Sequence, residues 1–151
     1  MLRARLNDEL KASMKAKDQR ATSTLRLILA ALKDRDIAAR ERGVTDGIGD
    51  DEIVEMMQKM VRQRRESIDL YEKGNRPELA RQEAEEIAVI ERFLPKQLSE
   101  AELEEAVAAT IAETGATSIK DMGKVMGALK SAYAGRMDFG KAGALVKQKL
   151  G

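Results

Sequence analysis

The residues with chemistry to offer lie between Asp121 and Leu150, in the stretch DMGKVMGALKSAYAGRMDFGKAGALVKQKL. Wound as a helix at about 100° per residue, Lys120–Ala134 places Met122, Val125, Met126, Leu129 and Tyr133 on one face, an ordinary core stripe. The roughly opposite face carries Lys120, Gly123, Gly127, Lys130 and Ala134, with Lys124 and Ser131 beside them. A glycine inside a helix costs about 0.8–1 kcal/mol relative to alanine, so two of them call for a reason. One reason is that another chain must come close to the backbone. Bare backbone flanked by lysines is a surface that a phosphodiester chain can approach. The other reason is a neighbouring helix of the same protein. Both readings stand at the level of sequence.

The pattern then repeats. Gly135 is placed to stop the helix in the left-handed conformation, and Arg136 follows it. Asp138 is a good N-cap for a last helix with Phe139, Ala142, Leu145, Val146 and Leu150 on one side. Gly140, Gly143 and Lys147 share another side, and Lys141 adds a further cation. The candidate nucleic-acid-binding residues are therefore Lys120, Gly123, Lys124, Gly127, Lys130, Arg136, Lys141 and Lys147.

These residues need a scaffold, and the whole chain reads as helix. No alternating β-pattern occurs, and hydrophobic residues make up 43% with aromatics only 3%, so the core must be aliphatic. Leu2, Leu6, Leu10 and Met14 give a narrow first stripe. The second helix carries Leu25, Ile28, Leu29, Leu32 and Ala39 on one side and Leu27, Ala30, Ala31 and Ala38 on the other, which predicts burial on both sides. The turn-formers in GVTDGIGD, residues 43–50, predict the most mobile internal loop. Asp50 or Asp51 is expected to cap a third helix with Ile53, Met56, Met57, Met60, Val61, Ile68 and Tyr71 inward. Arg64 sits inside that stripe, either snorkelling outward or paired with a buried carboxylate. The dense cluster Lys59, Arg62, Arg64 and Arg65 has acidic neighbours and is read as paired rather than as a nucleic-acid site.

Asn75, Pro77 and Glu78 read as N-cap, first turn and capping-box partner of a fourth helix, which Pro95 ends. Ser99 and Glu102 form a second capping box. The predicted fold is all-α: an N-terminal helical bundle or hairpin domain over 1–95, then a small three-helix domain over 96–151, joined at Phe93–Leu98.

Composition narrows the function classes. The chain has no His and no Cys, which removes the usual zinc ligands, disulfides, His-based general catalysis and Cys nucleophiles. No metal or cofactor is expected, and no run is apolar enough to span a bilayer. The expected location is the cytoplasm of a bacterial cell. The net charge of +1 conceals a division. Residues 1–42 sum to +5, 43–95 to −5, 96–116 to −4, and 117–151, with seven basic and two acidic residues, to +5.

The segments FLPKQLSEAELE, GATSIKDMGKVMGALK and AGRMDFGKAGALVKQKL, with MKAKDQRATSTLRLILAALK and LYEKGNRPELARQEAEEIAVIERFLP before them, resemble the GatB/YqeY family, specifically its stand-alone YqeY-type members. The resemblance implies an all-α fold whose C-terminal domain is similar to the tail of the GatB component of the tRNA-dependent amidotransferase. There the tail helps engage the tRNA body, while the complex acts as a carbon–nitrogen ligase with glutamine as amido donor. Gly123, Lys124, Gly127, Gly135 and Arg136 match motif positions of that tail. Met137 and Phe139 depart from the smaller residues expected there. This chain lacks counterparts of the catalytic cradle, the ATP site and the amidase. The resemblance therefore implies a non-catalytic tRNA-binding accessory module. The alternative is a helical adaptor docking on the amidotransferase or another translation protein, and the remote third is a ligase active only with partners.

Overall fold

The computed structural model describes all residues from Met1 to Gly151, and it is all-helical, with seven α-helices and no strand. The helices are α1 (Leu2–Lys15), α2 (Gln19–Arg40), α3 (Asp50–Lys73), α4 (Pro77–Glu91), α5 (Glu100–Thr114), α6 (Met122–Ala132) and α7 (Phe139–Leu150), with one 3-10 turn over Ile119–Asp121. They fall into two compact units, Met1–Leu94 and Pro95–Gly151.

In the first unit α1 pairs with α2 and α3 with α4, while α2 also touches α3 and α4. Leu6, Leu25, Ile28, Ile53, Met57 and Ile90 are almost wholly enclosed at its centre. The α1–α2 turn is tight. Lys17 takes a left-handed φ of 56°, and Asp18 caps α2 by accepting from Ala21 N at 3.1 Å. Only one side of α2 is covered. Leu27 and Ile37 are each 48% exposed, and Ala30 and Ala38 face solvent. The expectation of burial on two sides fails because the neighbouring helices all pack on the Leu25–Ile28–Leu32 side.

The loop between α2 and α3 is anchored rather than loose. Asp36 accepts two hydrogen bonds from the Arg3 guanidinium, at 2.6 and 3.1 Å, and one from Ile48 N at 2.9 Å. Arg3 Nη2 also donates to the Ile48 carbonyl at 3.0 Å. With these backbone groups satisfied, Ile48 becomes core and Val44 packs against it. The Arg3 bonds and the Ile48 amide hold the Asp36 carboxyl below its ordinary range, and Asp36 in turn raises the Arg3 guanidinium.

Two caps differ from expectation. Gly49, not an aspartate, occupies the N-cap of α3. Asp50 begins the helix and accepts from Leu2 N at 3.3 Å, and Asp50, Asp51 and Glu52 face the dipole. Asn75 does not cap α4 either. It takes the left-handed φ of 56° that ends the α3 turn, Arg76 is the N-cap, and Pro77 follows at the first helical position. Glu78 instead pairs with Arg76 at 2.7 Å. α4 stops at Glu91, and the turn after it drops Phe93 into the core beneath the Arg5 guanidinium, 5.3 Å from the ring centre.

In the second unit the Ser99–Glu102 capping box forms as expected, with bonds of 3.1 and 3.0 Å. Gly115, at φ 68°, closes α5 in the left-handed conformation. Leu103, Val107, Val125, Leu129, Ala142 and Val146 form the core. Met137 is 3% exposed and plugs this core, which accounts for a large residue where a smaller one was expected.

Candidate nucleic-acid interface

The helix expected over Lys120–Ala134 is shorter and has a hinge-like start. The 3-10 turn holds Lys120, and α6 proper runs from Met122 to Ala132. The reason is Asp121. Its carboxylate turns back to accept from Thr117 N at 3.0 Å and Ser118 N at 3.3 Å, closing a small box around the turn. Those two amides keep it ionised, with its pKa below the ordinary range. Lys120 and Ala134 therefore lie outside the regular helical face.

Within α6, Val125 and Leu129 are fully buried and Met122 and Met126 pack partly beside them. Lys130, Gly123, Gly127, Ser131 and Lys124 follow one another around the solvent side over about 120° of arc. An added Cβ at Gly123 or Gly127 would meet nothing within 4 Å. These two glycines make room for no helix of the second unit. Gly123 is the second residue of α6, so the positive end of its dipole underlies the same patch.

The glycines of α7 behave differently. Asp138 caps α7, accepting from Gly140 N at 2.8 Å and Lys141 N at 3.4 Å. A Cβ on Gly140 would lie 3.0 Å from that carboxylate oxygen. Gly143 faces α6, where a Cβ would touch the Met122 and Met126 methyls at 3.6 and 3.9 Å, ordinary packing distances. Gly143 thus faces a neighbouring helix, with room for a methyl, whereas Gly123 and Gly127 face none.

Helical spacing follows from these contacts. Beside the Met126–Gly143 contact, α6 presents Lys130 and Gly123, and α7 presents Lys147 and Gly140. Lys141 lies about 120° further round α7, and Lys124 sits at the far edge of the α6 face. Lys120, Lys124, Lys130, Lys141 and Lys147 are all exposed.

Arg136 has a different occupation. Its Nε donates to the Lys96 carbonyl at 3.1 Å, and its guanidinium lies 5.9 Å from the Tyr133 ring centre. The same loop receives Leu98 N on the Arg136 carbonyl at 2.9 Å and Gln97 Nε2 on the Gly135 carbonyl at 2.6 Å. Gly135, at φ 73°, makes the bend. Arg136 thus ties the α6–α7 loop to the segment before α5. It stands apart from the lysine patch in role.

No three carboxylates converge on a point that would hold a metal ion. No helix is long and apolar enough to cross a membrane. What the α6–α7 surface offers is open backbone at Gly123 and Gly127 beside exposed ammonium groups, a combination suited to phosphate oxygens.

Among known proteins, the chain is similar to altered inheritance of mitochondria protein 41, mitochondrial, from three yeasts. The protein from Eremothecium gossypii is 33% identical over 91 residues, 60% of this chain and 48% of that protein. The one from Lachancea thermotolerans is 30% identical over 112 residues, covering 73% and 58%. The one from Kluyveromyces lactis is 29% identical over 90 residues, covering 60% and 46%. The chain therefore spans about half the length of the curated relatives it matches. A family model described as Yqey-like protein matches residues 3–150, through both compact units and every helix, and the chain belongs to that family.

Proposed function

We propose that this protein is a non-catalytic accessory module that binds tRNA through the α6–α7 surface, in the manner of the tail of the amidotransferase GatB component. The single observation that carries the reading is the open backbone at Gly123 and Gly127, with nothing within 4 Å of either missing side chain and Lys124 and Lys130 beside them. The local charge of +5 over residues 117–151 favours a polyanion at this end of the chain. Any carbon–nitrogen ligase chemistry with glutamine as amido donor belongs to a larger assembly, because this chain has no His or Cys and no converging acidic cluster. A reducing interior, cytoplasmic in a bacterium, is the compartment proposed for it.

The test is a filter-binding titration of the full chain with bulk tRNA at two salt concentrations. Phosphate contacts make affinity fall steeply with salt. Lys124→Ala and Lys130→Ala should each weaken binding and lower the salt slope by about one. An adaptor for another translation protein would instead bind all nucleic acid weakly and with no dependence on these lysines.

A further inference from the structure

The solvent side of α2 is the most unusual surface in the first unit. Ser23, Leu27, Ala30, Asp34 and Ile37 succeed one another at alternating spacings of four and three residues, the repeat of a coiled-coil seam. Leu27 and Ile37 are each 48% exposed, and no helix of the first unit covers them. Arg26, Lys33 and Arg40 recur at seven-residue spacing along one edge of this seam. All three are exposed; Arg26 and Lys33 are in none of the ion pairs that Arg3, Arg20, Arg42 and Arg64 form with carboxylates, and Arg40 acts on Asp36 one turn before it. Arg26 has only the Met14 thioether as a partner, at 3.6 Å. At the same end, Met14, Lys17, Gln19, Thr22, Ser23 and Arg26 line an open recess of about 370 Å³.

We infer that this face is a docking site for an amphipathic, acidic helix of a partner protein. Leu27, Ala30 and Ile37, the apolar members of this seam, are covered most simply by another helix in heptad register. The cation row decides the partner's charge, because a helix with glutamates at matching seven-residue positions neutralises Arg26, Lys33 and Arg40 together. A second copy of α2 offers no acid to this row: an antiparallel copy sets its own cations against it, and a parallel copy sets Ala31 and Ala38 there. Asp34, in the middle of the seam, sets the register by demanding a polar or basic residue opposite it. The recess beside Met14 accepts a terminal side chain of the docked helix. The 22 residues of α2 span about 33 Å, long enough for three heptads. This surface lies in the first unit, and the inference stands independently of tRNA binding by α6 and α7.

The experiment uses the full chain and two synthetic helical peptides of roughly three heptads that share a leucine seam with one asparagine placed opposite Asp34, one flanked by glutamates and one by lysines. Fluorescence anisotropy should give the glutamate peptide an affinity at least about tenfold above the lysine peptide. Arg26→Glu with Lys33→Glu should reverse that order, and Leu27→Ser with Ile37→Ser should weaken both peptides about tenfold. These side chains are exposed, so the variants should melt like the parent; if the charge reversals do not, Arg26→Gln with Lys33→Gln should still abolish the preference. Equal affinities for the two peptides, insensitive to all of these changes, would overturn the inference. So would binding to phosphatidylserine vesicles that the same variants abolish while neither peptide binds, or a self-association lost in Ile37→Ser.

Discussion

The basic cluster of α3 and the basic patch of α6 and α7 look alike in sequence and differ in what surrounds them. Arg64 is only 14% exposed, and its guanidinium faces Glu86 at 3.8 Å and Glu83 at 3.9 Å across the α3–α4 hairpin. Its Nη1 donates to the Met60 carbonyl at 3.2 Å, but Nε is buried beyond hydrogen-bond reach of either carboxylate. Arg65 stands 4.0 Å from Glu91. Arg64 and Arg65 of α3 thus face carboxylates of α4, whereas the lysines of α6 and α7 project into solvent from helices that carry no acid on the same faces. Cation density along a sequence does not identify a polyanion site. The acids that the fold brings opposite each cation do.

The sharpest way to break this contrast is to remove Arg64. Arg64→Ala leaves Glu83 and Glu86 facing each other without a counter-charge and should destabilise the chain by about 3 kcal/mol in denaturant titrations. Arg64→Met with Glu83→Gln and Glu86→Leu should recover most of that loss. A loss no larger than that of an exposed arginine would mean that α3 cations are as free as those of α6.

A smaller effect follows from pH. Burial first, and then the neighbouring Glu86 charge, lifts the Glu83 carboxyl above its ordinary 4.5, while Arg64 pulls it down. The folded state therefore holds the Glu83 proton more tightly than the unfolded chain does. That contribution is fully present below pH 4.5 and is lost as pH rises through the elevated folded value. Glu83→Gln should flatten the decline in unfolding free energy above pH 4.5, and an unchanged pH profile would remove Glu83 from the account.

The glycines sharpen the other side of the comparison. Gly127→Ala should stabilise the chain by about 0.5–1 kcal/mol, by helix propensity and a less flexible unfolded state, while weakening tRNA binding. Gly140→Ala should instead cost about 0.5–1 kcal/mol, because the new methyl presses on the Asp138 cap. Gly127→Ala that destabilises, or that stabilises with tRNA binding intact, would end the case for an open backbone at the site. The smallest expected change in stability, within about 0.5 kcal/mol, is for Lys130→Ala, whose effect should appear in tRNA affinity and its salt slope.

Much of this was legible from residue order. The stripe Val125–Leu129, the Ser99 capping box, the Asp138 cap and the left-handed Gly135 are local features, set within four residues of themselves, and the structure has them all. The lysine face was legible because helical periodicity alone predicts which residues share a side. The heptad row Arg26–Lys33–Arg40 was equally open to that argument, but the apolar residues beside it pointed to burial. Whether Leu27 is covered depends on how many helices reach it, which periodicity does not encode.

Sequence by itself determined the helices, because capping and amphipathic spacing act over one or two turns. Tertiary structure decided which surfaces remained free. Gly143 meets two methionines of α6 while Gly127 meets nothing. Asp36 turns a glycine-rich loop into an anchored one by binding Arg3 and Ile48, 33 and 12 residues away. Arg136 is drawn to the Lys96 carbonyl and Arg64 to Glu86, while Lys130 stays in water. Each outcome rests on whether a partner distant in sequence is present, and only the folded chain brings such a partner within the few ångströms over which packing, hydrogen bonds and ion pairs act.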